Sequence, residues 1–199
     1  MTFTRPRSYH HGDLRGELLV RAEETLRESG VDGLSLRQLA RDIGVSHGAP
    51  SRHFRDKQAL LDALALSGFQ RLDTLFSTAV LGGTFAEQLE GIARGYLRFA
   101  IENSALLELM FARKHSPNAG TELPAAAEAA FLTPVALIAR GQADGDVVAG
   151  DIQRIGLAAF ASMQGLATFV SSGFAPAELA EEMLSDVVTQ MLDGLRPRS

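Results

Sequence analysis

The sequence predicts an all-α protein: an N-terminal three-helix domain carrying a helix-turn-helix, then a larger C-terminal helical domain. Three observations carry this. Apolar residues recur at helical spacing along the chain, and no stretch alternates apolar and polar residues with the period of a strand. Serine, threonine or aspartate precedes most periodic runs and glycine follows many, as helix starts and stops require. Residues 35–57, SLRQLARDIGVSHGAPSRHFRDK, hold two brief helical patterns with a glycine between them.

A chain of 199 residues with 46% apolar content suits one large domain or two small ones. The lack of cysteine excludes a disulfide framework and thiolate metal sites. There is no run of about 18 apolar residues, and the N-terminus lacks the apolar region of a signal peptide. No membrane partner is expected, and the default location is the cytoplasm. The net charge of −5 looks wrong for a nucleic-acid binder, but its distribution repairs this. Residues 1–57 carry 10 basic and 8 acidic side chains, and the remainder 9 and 16, so a +2 segment precedes a −7 one. A local basic face matters more for phosphate binding than the global balance.

In chain order, residues 1–12 lack periodicity. Arg5, Arg7, Tyr9, His10 and His11 read either as an arm able to enter a minor groove or as a tail with incidental charge. His10 and His11 near Asp13 find no further ligand cluster, so neither metal nor cofactor is expected. Asp13 caps a helix striped by Leu14, Leu18, Ala22 and Leu26, and Gly30 ends it. Ser35 opens the next with a capping box, Ser35-x-x-Gln38. Leu36, Leu39, Ala40 and Ile43 form its apolar stripe, and Gly44 stops it. Ser46 is expected to cap a second short helix, His47 to Phe54, with Pro50 in its first turn. Its outward face offers His47, Gly48, Ala49, Ser51, Arg52 and His53, and such a helix can lie in a DNA major groove. Asp56 caps a long connecting helix that opens with Lys57, where free amides and a positive charge suit a phosphate.

Thr84-x-x-Glu87 is a second capping box, opening a helix through Asn103; a shorter helix covers Ala105 to Lys114. Residues 116–121, with Pro117 and Gly120, read as a loop. A helix from Glu122 to about Ala143 should be kinked or interrupted at Pro134. Asp151 caps a helix ending near Ser172 and Gly173, and Pro176 starts the last, ending near Leu195. Ile155, Ala158, Ala159, Ser162, Met163, Leu166 and Phe169, with Leu179, Met183, Val187, Val188, Met191 and Leu195, form two stripes. They read either as monomer core or as half of a four-helix bundle between two chains. No phosphate loop, metal-ligand spacing or Gly-x-Ser-x-Gly elbow is present, and the paired carboxylates Glu23-Glu24 and Glu181-Glu182 diverge on their helices, so no enzyme is expected.

Residues 12–61 resemble the DNA-binding domain of the TetR family of bacterial transcriptional repressors. The matching pieces are Gly30-Val31-Asp32-Gly33-Leu34-Ser35-Leu36-Arg37, Leu39-Ala40, Gly44-Val45-Ser46, Arg52-His53-Phe54 and Lys57-x-x-Leu60-Leu61. The resemblance implies a helix-turn-helix domain over 11–57, with the motif at 35–54, and an effector-binding and dimerisation domain over 58–195. Candidate DNA contacts are Arg5, Arg7, Ser35, Arg37, Ser46, His47, Gly48, Ala49, Ser51, Arg52, His53 and Lys57. The family usually has a tyrosine where this chain has Ser51, which weakens DNA binding or shifts the contact to Arg52 and His53. Met163-Gln164-Gly165-Leu166 is similar to a position where a subgroup carries histidine before this glycine. Gln164 could there orient an otherwise apolar effector, in a pocket lined by Tyr96, Phe99, Met110, Phe111, Phe131 and Met163, residues that also read as plain core. The expected protein is a ligand-relieved repressor binding a palindromic double-stranded DNA operator as a homodimer through its last two helices. Its effector is a largely apolar small molecule. The alternative is a helical small-molecule-binding or adaptor protein without DNA binding.

Overall fold

A computed structural model describes residues 13–116, 120–174 and 176–197. Arg5, Arg7, Tyr9, His10 and His11 of the expected arm, and Pro117 of the expected loop, lie outside the described residues. Among the described residues there are eight α-helices and no strand: α1 (Leu14–Ser29), α2 (Leu36–Asp42), α3 (Lys57–Ala79), α4 (Phe85–Glu102), α5 (Ser104–Arg113), α6 (Glu122–Asp144), α7 (Ile152–Ser171) and α8 (Ala177–Leu195). The chain divides into two compact units, Met1–Leu64 and Ala65–Ser199, with the division inside α3.

The first unit begins where the Asp13 carboxylate accepts the Gly16 amide at 2.8 Å, capping α1. Its core is Leu18, Ala22, Leu26, Leu34, Leu39, Ala40, Phe54, Leu60, Leu61 and Leu64, all buried. Gly44 follows α2 at φ +75, a left-handed conformation that a β-carbon disfavours. The Val45 amide then reaches the Ala40 carbonyl at 2.9 Å and the Gly44 amide reaches Arg41 at 3.1 Å, the paired bonds of a Schellman ending.

Two local expectations fail here. Ser35 sits at the N-cap of α2, but its side chain makes no capping bond. The Gln38 side chain instead donates to Asp42 Oδ1 at 2.6 Å, and its oxygen, which the box would turn to the Ser35 amide, accepts from the Arg41 guanidinium, a charged and stronger donor. The helix expected from His47 to Phe54 is also absent. The segment is a turn leading into a 3-10 helix, Pro50–Arg52. Pro50 has no amide to give the Ser46 carbonyl, which takes the Ala49 amide at 2.9 Å instead. Arg52 to Ala49 and His53 to Pro50 repeat this three-residue spacing, and Ser46 therefore heads a turn and caps no α-helix.

In the second unit, α4 packs against α5, α6, α7 and α8, and α7 packs against α6 and α8. The Thr84–Glu87 capping box forms in full: the Thr84 amide donates to Glu87 Oε2 at 2.7 Å, and the Glu87 amide to Thr84 Oγ1 at 3.3 Å. Asp151 caps α7 by accepting the amides of Gln153 and Arg154 at 2.9 and 3.1 Å. Buried Asn103 stitches the break between α4 and α5 to α3, donating to the Phe99 carbonyl at 3.0 Å and accepting from Arg71 at 2.8 Å. Pro134 does not interrupt α6, which continues to Asp144. Buried Ala130 before it and Leu137 and Ile138 after it hold the helix on both sides of the missing bond. By length and composition α6 is also apolar enough to cross a membrane, although Glu128 and Thr133 interrupt its apolar run.

The two glycines of the turn region separate by conformation. Gly44→Ala places a β-carbon at positive φ and should lower stability by about 1–2 kcal/mol. Gly48 has no such φ, and nothing lies within 4 Å of an added β-carbon. Gly48→Ala should therefore stay within about 0.5 kcal/mol of the parent in urea unfolding.

Candidate nucleic-acid interface and interior cavities

The 46–54 segment of the first unit is anchored at two points. Pro50 is buried and Phe54 is only 2% exposed, with the Arg15 guanidinium 5.6 Å from its ring centroid. Between and before these anchors, Ser46, His47, Gly48, Ser51, Arg52 and His53 are exposed, and Ala49 is half-buried. The 3-10 turn packs on α2, whose first residues, Ser35 and Arg37, reach solvent as well. Lys57 is half-buried at the start of α3. Asp56 already occupies that helix start, its carboxylate accepting the Ala59 amide at 2.8 Å, so one of the amides expected for a phosphate is taken.

Charge pairing divides the arginines of this unit. Arg21 reaches both Glu24 and Asp42 at 3.0 Å, Arg27 lies 3.8 Å from Glu23, and Arg55 lies 3.2 Å from Asp56. Arg37 and Arg52 have no carboxylate partner among the described residues. The edge thus carries two arginines that no carboxylate neutralises among the described residues of the unit.

In the second unit, a cavity of about 250 Å³ is walled by Phe76, Phe111, Phe131 and Phe160, with Met163 and Ile92 among its other lining residues. A second cavity, of about 570 Å³, shares Phe111 and is more polar, with Ser104, Glu108, Gln164, Thr168 and Ser171 on its walls. Of the residues expected to line a pocket, Phe111, Phe131 and Met163 meet at the first cavity, and Gln164 faces the second. Tyr96, Phe99 and Met110 line neither. Tyr96 is fully buried, and its hydroxyl donates to Gln164 Oε1. Burial pushes its phenol far above the ordinary range, so it stays a neutral donor. The Phe99 ring lies 5.1 Å from the Arg71 guanidinium. Met110 is buried where Gly68 leaves room: a β-carbon on Gly68 would stand 2.3 Å from the Met110 sulfur. The polar group of Gln164 therefore has a protein partner.

Sequence reasoning missed most of the first cavity's lining, including Phe76, Phe160, Lys114, Gln153 and Gly156. Phe160 is the hub of the aromatic cluster, with centroids 5.1 Å from Phe131, 5.3 Å from Tyr96 and 6.2 Å from Phe111. The signal was available, since Gly156, Phe160 and Met163 fall at four- and three-residue spacing on one face of α7. Among the described residues no group of three or more histidines, aspartates and glutamates converges to hold a metal.

The expected apolar stripes of α7 and α8 split in two. Ala159, Met163 and Leu166, with Val188, Met191 and Leu195, are buried within the chain, as is Leu184 outside the expected stripe. Phe169, Leu179 and Met183 are 50%, 40% and 40% exposed, and Ala158 and Ser162 also face solvent.

Comparison with known proteins gives two family matches. The model described as "Bacterial regulatory proteins, tetR family" matches residues 18–64, and "Tetracyclin repressor-like, C-terminal domain" matches residues 89–195. A solved structure of a protein of unknown function from Rhodococcus sp. RHA1 is 44% identical, covers 96% of this chain and 99% of its own, and superposes with a TM-score of 0.86. The class A tetracycline repressor from transposon 1721 of Escherichia coli is 51% identical over 53 residues, 26% of this chain and 24% of that protein. An HTH-type transcriptional repressor of Mycobacterium tuberculosis is 36% identical over 80 residues, 40% of this chain and 43% of its own length. The match thus spans less than half the length of each of these two curated relatives.

Asp42 offers a test of how the unit carrying the exposed edge is held together. The Gln38 amide, and then the Arg21 guanidinium, hold its carboxyl below the usual aspartate range. A carboxylate lowered by folding adds stability that is fully present above its unfolded value near pH 4 and is lost as pH falls through the lower folded value. Asp42→Asn should lower stability at neutral pH and flatten the fall in stability below about pH 4, measured by thermal unfolding across pH 2–7.

Proposed function

The chain belongs to the TetR family of bacterial regulatory proteins, and on that premise we propose that it is a sequence-specific DNA-binding transcriptional regulator. In this reading it is a homodimeric repressor that binds a palindromic operator and is released by a largely apolar small molecule. Residues 11–57 form its DNA-binding domain and residues 58–195 its effector-binding and dimerisation domain. The supporting observation is the edge at 46–53 beside Arg37, where His47, Ser51, Arg52 and His53 are exposed while buried Pro50 and Phe54 anchor the segment. Arg52, His53 and His47 read bases or phosphates from that edge. Ser35, Arg37, Ser46, Ser51 and Lys57 hold the backbone, while Gly48 and Ala49 permit close approach. Arg5 and Arg7 extend the contact from the N-terminal arm.

Dimerisation through α7 and α8 is supported by their exposed Phe169, Leu179 and Met183, an apolar face that a second copy would cover. A two-fold axis there sets two reading edges about one helical turn of DNA, or a multiple, apart, which is why a palindrome is the expected operator. The effector enters the cavity walled by Phe76, Phe111, Phe131 and Phe160, where an apolar body gains burial against a mostly aromatic and aliphatic lining.

Footprinting on the region upstream of its own gene tests the whole reading. The expected result is a protected palindrome whose affinity falls steeply with salt, because phosphate contacts release counterions. A helical binding protein without DNA recognition would protect nothing. Arg52→Ala should weaken binding; a loss of about 1–3 kcal/mol confined to one base pair marks a base contact, and a uniform loss marks a phosphate contact. Unchanged binding would remove Arg52 from the interface. Gly156→Leu extends a side chain from a cavity-lining position where an added β-carbon meets nothing within 4 Å. It should keep operator binding and abolish release by lipophilic effectors, read by fluorescence anisotropy on the footprinted DNA.

A further inference from the structure

We propose that the ligand of the aromatic-walled cavity is an anion, a medium-sized apolar molecule with a single carboxylate seated at Lys114. The inference rests on the reading of that cavity as the effector site and names the chemical class it selects. Among the described residues lining the cavity, Lys114 is the one charged side chain and Gln153 the one other polar side chain. The remaining lining is aromatic, aliphatic, glycine and proline. Glu108, the nearby carboxylate, belongs to the lining of the other cavity, so no acidic group of this wall repels an anion.

Lys114 is half-buried, and its ammonium lies 4.9 Å from the Phe111 ring centroid. It has no carboxylate partner among the described residues. A neutral apolar ligand filling the cavity strips water from that ammonium and gives nothing back, which costs free energy. A carboxylate supplies the missing partner through a charge-assisted hydrogen bond, strengthened by the apolar walls around it. The Gln153 amide offers a second donor on the same lining. One ammonium and one amide suit a monoanion; a phosphate dianion calls for more donors or an arginine fork, and this lining has neither. The volume of about 250 Å³, set against roughly 30 Å³ for a water-sized group in a liquid, holds on the order of eight non-hydrogen atoms. An eight-carbon acid is a probe of matching size.

Lys114 also stands at the end of α5, where a cation complements the helix dipole. That role alone predicts no preference among ligands, so matched tails separate the two. Octanoate, octanol and octylammonium are titrated calorimetrically into the full chain at pH 7, below their aggregation thresholds. The parent protein should bind octanoate at least about ten-fold tighter than octanol, the scale of one charged hydrogen bond, and octylammonium weakest. Lys114→Met should bring octanoate down to the octanol level and leave octanol binding at least as tight, which also reports that the variant is folded. Gly156→Leu should lose both. Equal affinities for octanoate and octanol, or a preference that survives Lys114→Met, overturns the anion proposal and leaves the cavity reading standing. If neither octanoate nor octanol binds the parent, or Gly156→Leu binds both as well as the parent does, the cavity reading falls and the proposal falls with it.

Discussion

The N-terminal unit depends on a proline that cannot donate a hydrogen bond and a phenylalanine four residues later, both driven into the core. The Phe54 amide closes on the Pro50 carbonyl at 2.9 Å, tying the two anchors together. With both turned inward, the three side chains between them face outward, and Ser51, Arg52 and His53 are all exposed. The edge is therefore presented by burial of its neighbours and needs no long recognition helix. Pro50 restricts its own φ and removes one donor, so the segment loses less conformational entropy on ordering than a glycine or alanine there would. Stiffness of this kind suits the proposed role of the edge, meeting a duplex in one orientation.

Charge arrangement follows the same division of labour. Arg21 bridges α1 to Asp42 at the end of α2, and Gln38 and Arg41 complete a polar network on the exposed side of α2. These groups satisfy one another and hold the two helices in register. Arg37 lies on the same helix as Gln38 and Arg41 and takes no part in these bonds, and Arg52 stands on the anchored turn. A cation already paired in the protein must give up that partner to meet a phosphate; an unpaired one gives up only water. The distinction between structural and available arginines is invisible in composition, where all of them count equally toward the +2 of residues 1–57.

What could be read from the sequence was whatever depends on near neighbours alone. The ending of α2 at Gly44, the Thr84–Glu87 box and the Asp151 cap each require only a backbone conformation or a partner three residues away. The Ser35–Gln38 box had the same spacing and failed because a competitor, Asp42, stood one turn on and was already drawn in by Arg21 from another helix. The helix expected at 47–54 failed for a local reason: Gly48 and Pro50 within four residues leave too few donors and too little helix propensity for an α-helical start. The cavity was legible in kind but not in detail. Aromatic stripes pointed to the right helices, yet whether a ring faces a cavity or a neighbour is decided across elements. Tyr96 turned to Gln164, Phe99 to Arg71 and Met110 to Gly68, while Phe160, surrounded in sequence by alanines, became the centre of the cluster.

One helix, α7, carries both halves of the proposed regulation. Gly156, Phe160 and Met163 line the cavity from one face, and Ala158, Ser162 and Phe169 reach solvent from another. A helix of 20 residues capped firmly at Asp151 behaves as a rod on this length scale, so a displacement at Phe160 is also a displacement of the exposed face. A ligand changes the equilibrium between two placements of that rod only by binding one of them better. Phe160 supplies the means, because it touches Tyr96, Phe111 and Phe131 at once, and a molecule that displaces it in the cavity disturbs all three contacts together. In a close-packed interior such a change is taken up by moving an element as a body more readily than by deforming it. In the proposed dimer the uncovered apolar face is shared by α7, through Phe169, and α8, through Leu179 and Met183, and α7 is the one of the two that also lines the aromatic cavity.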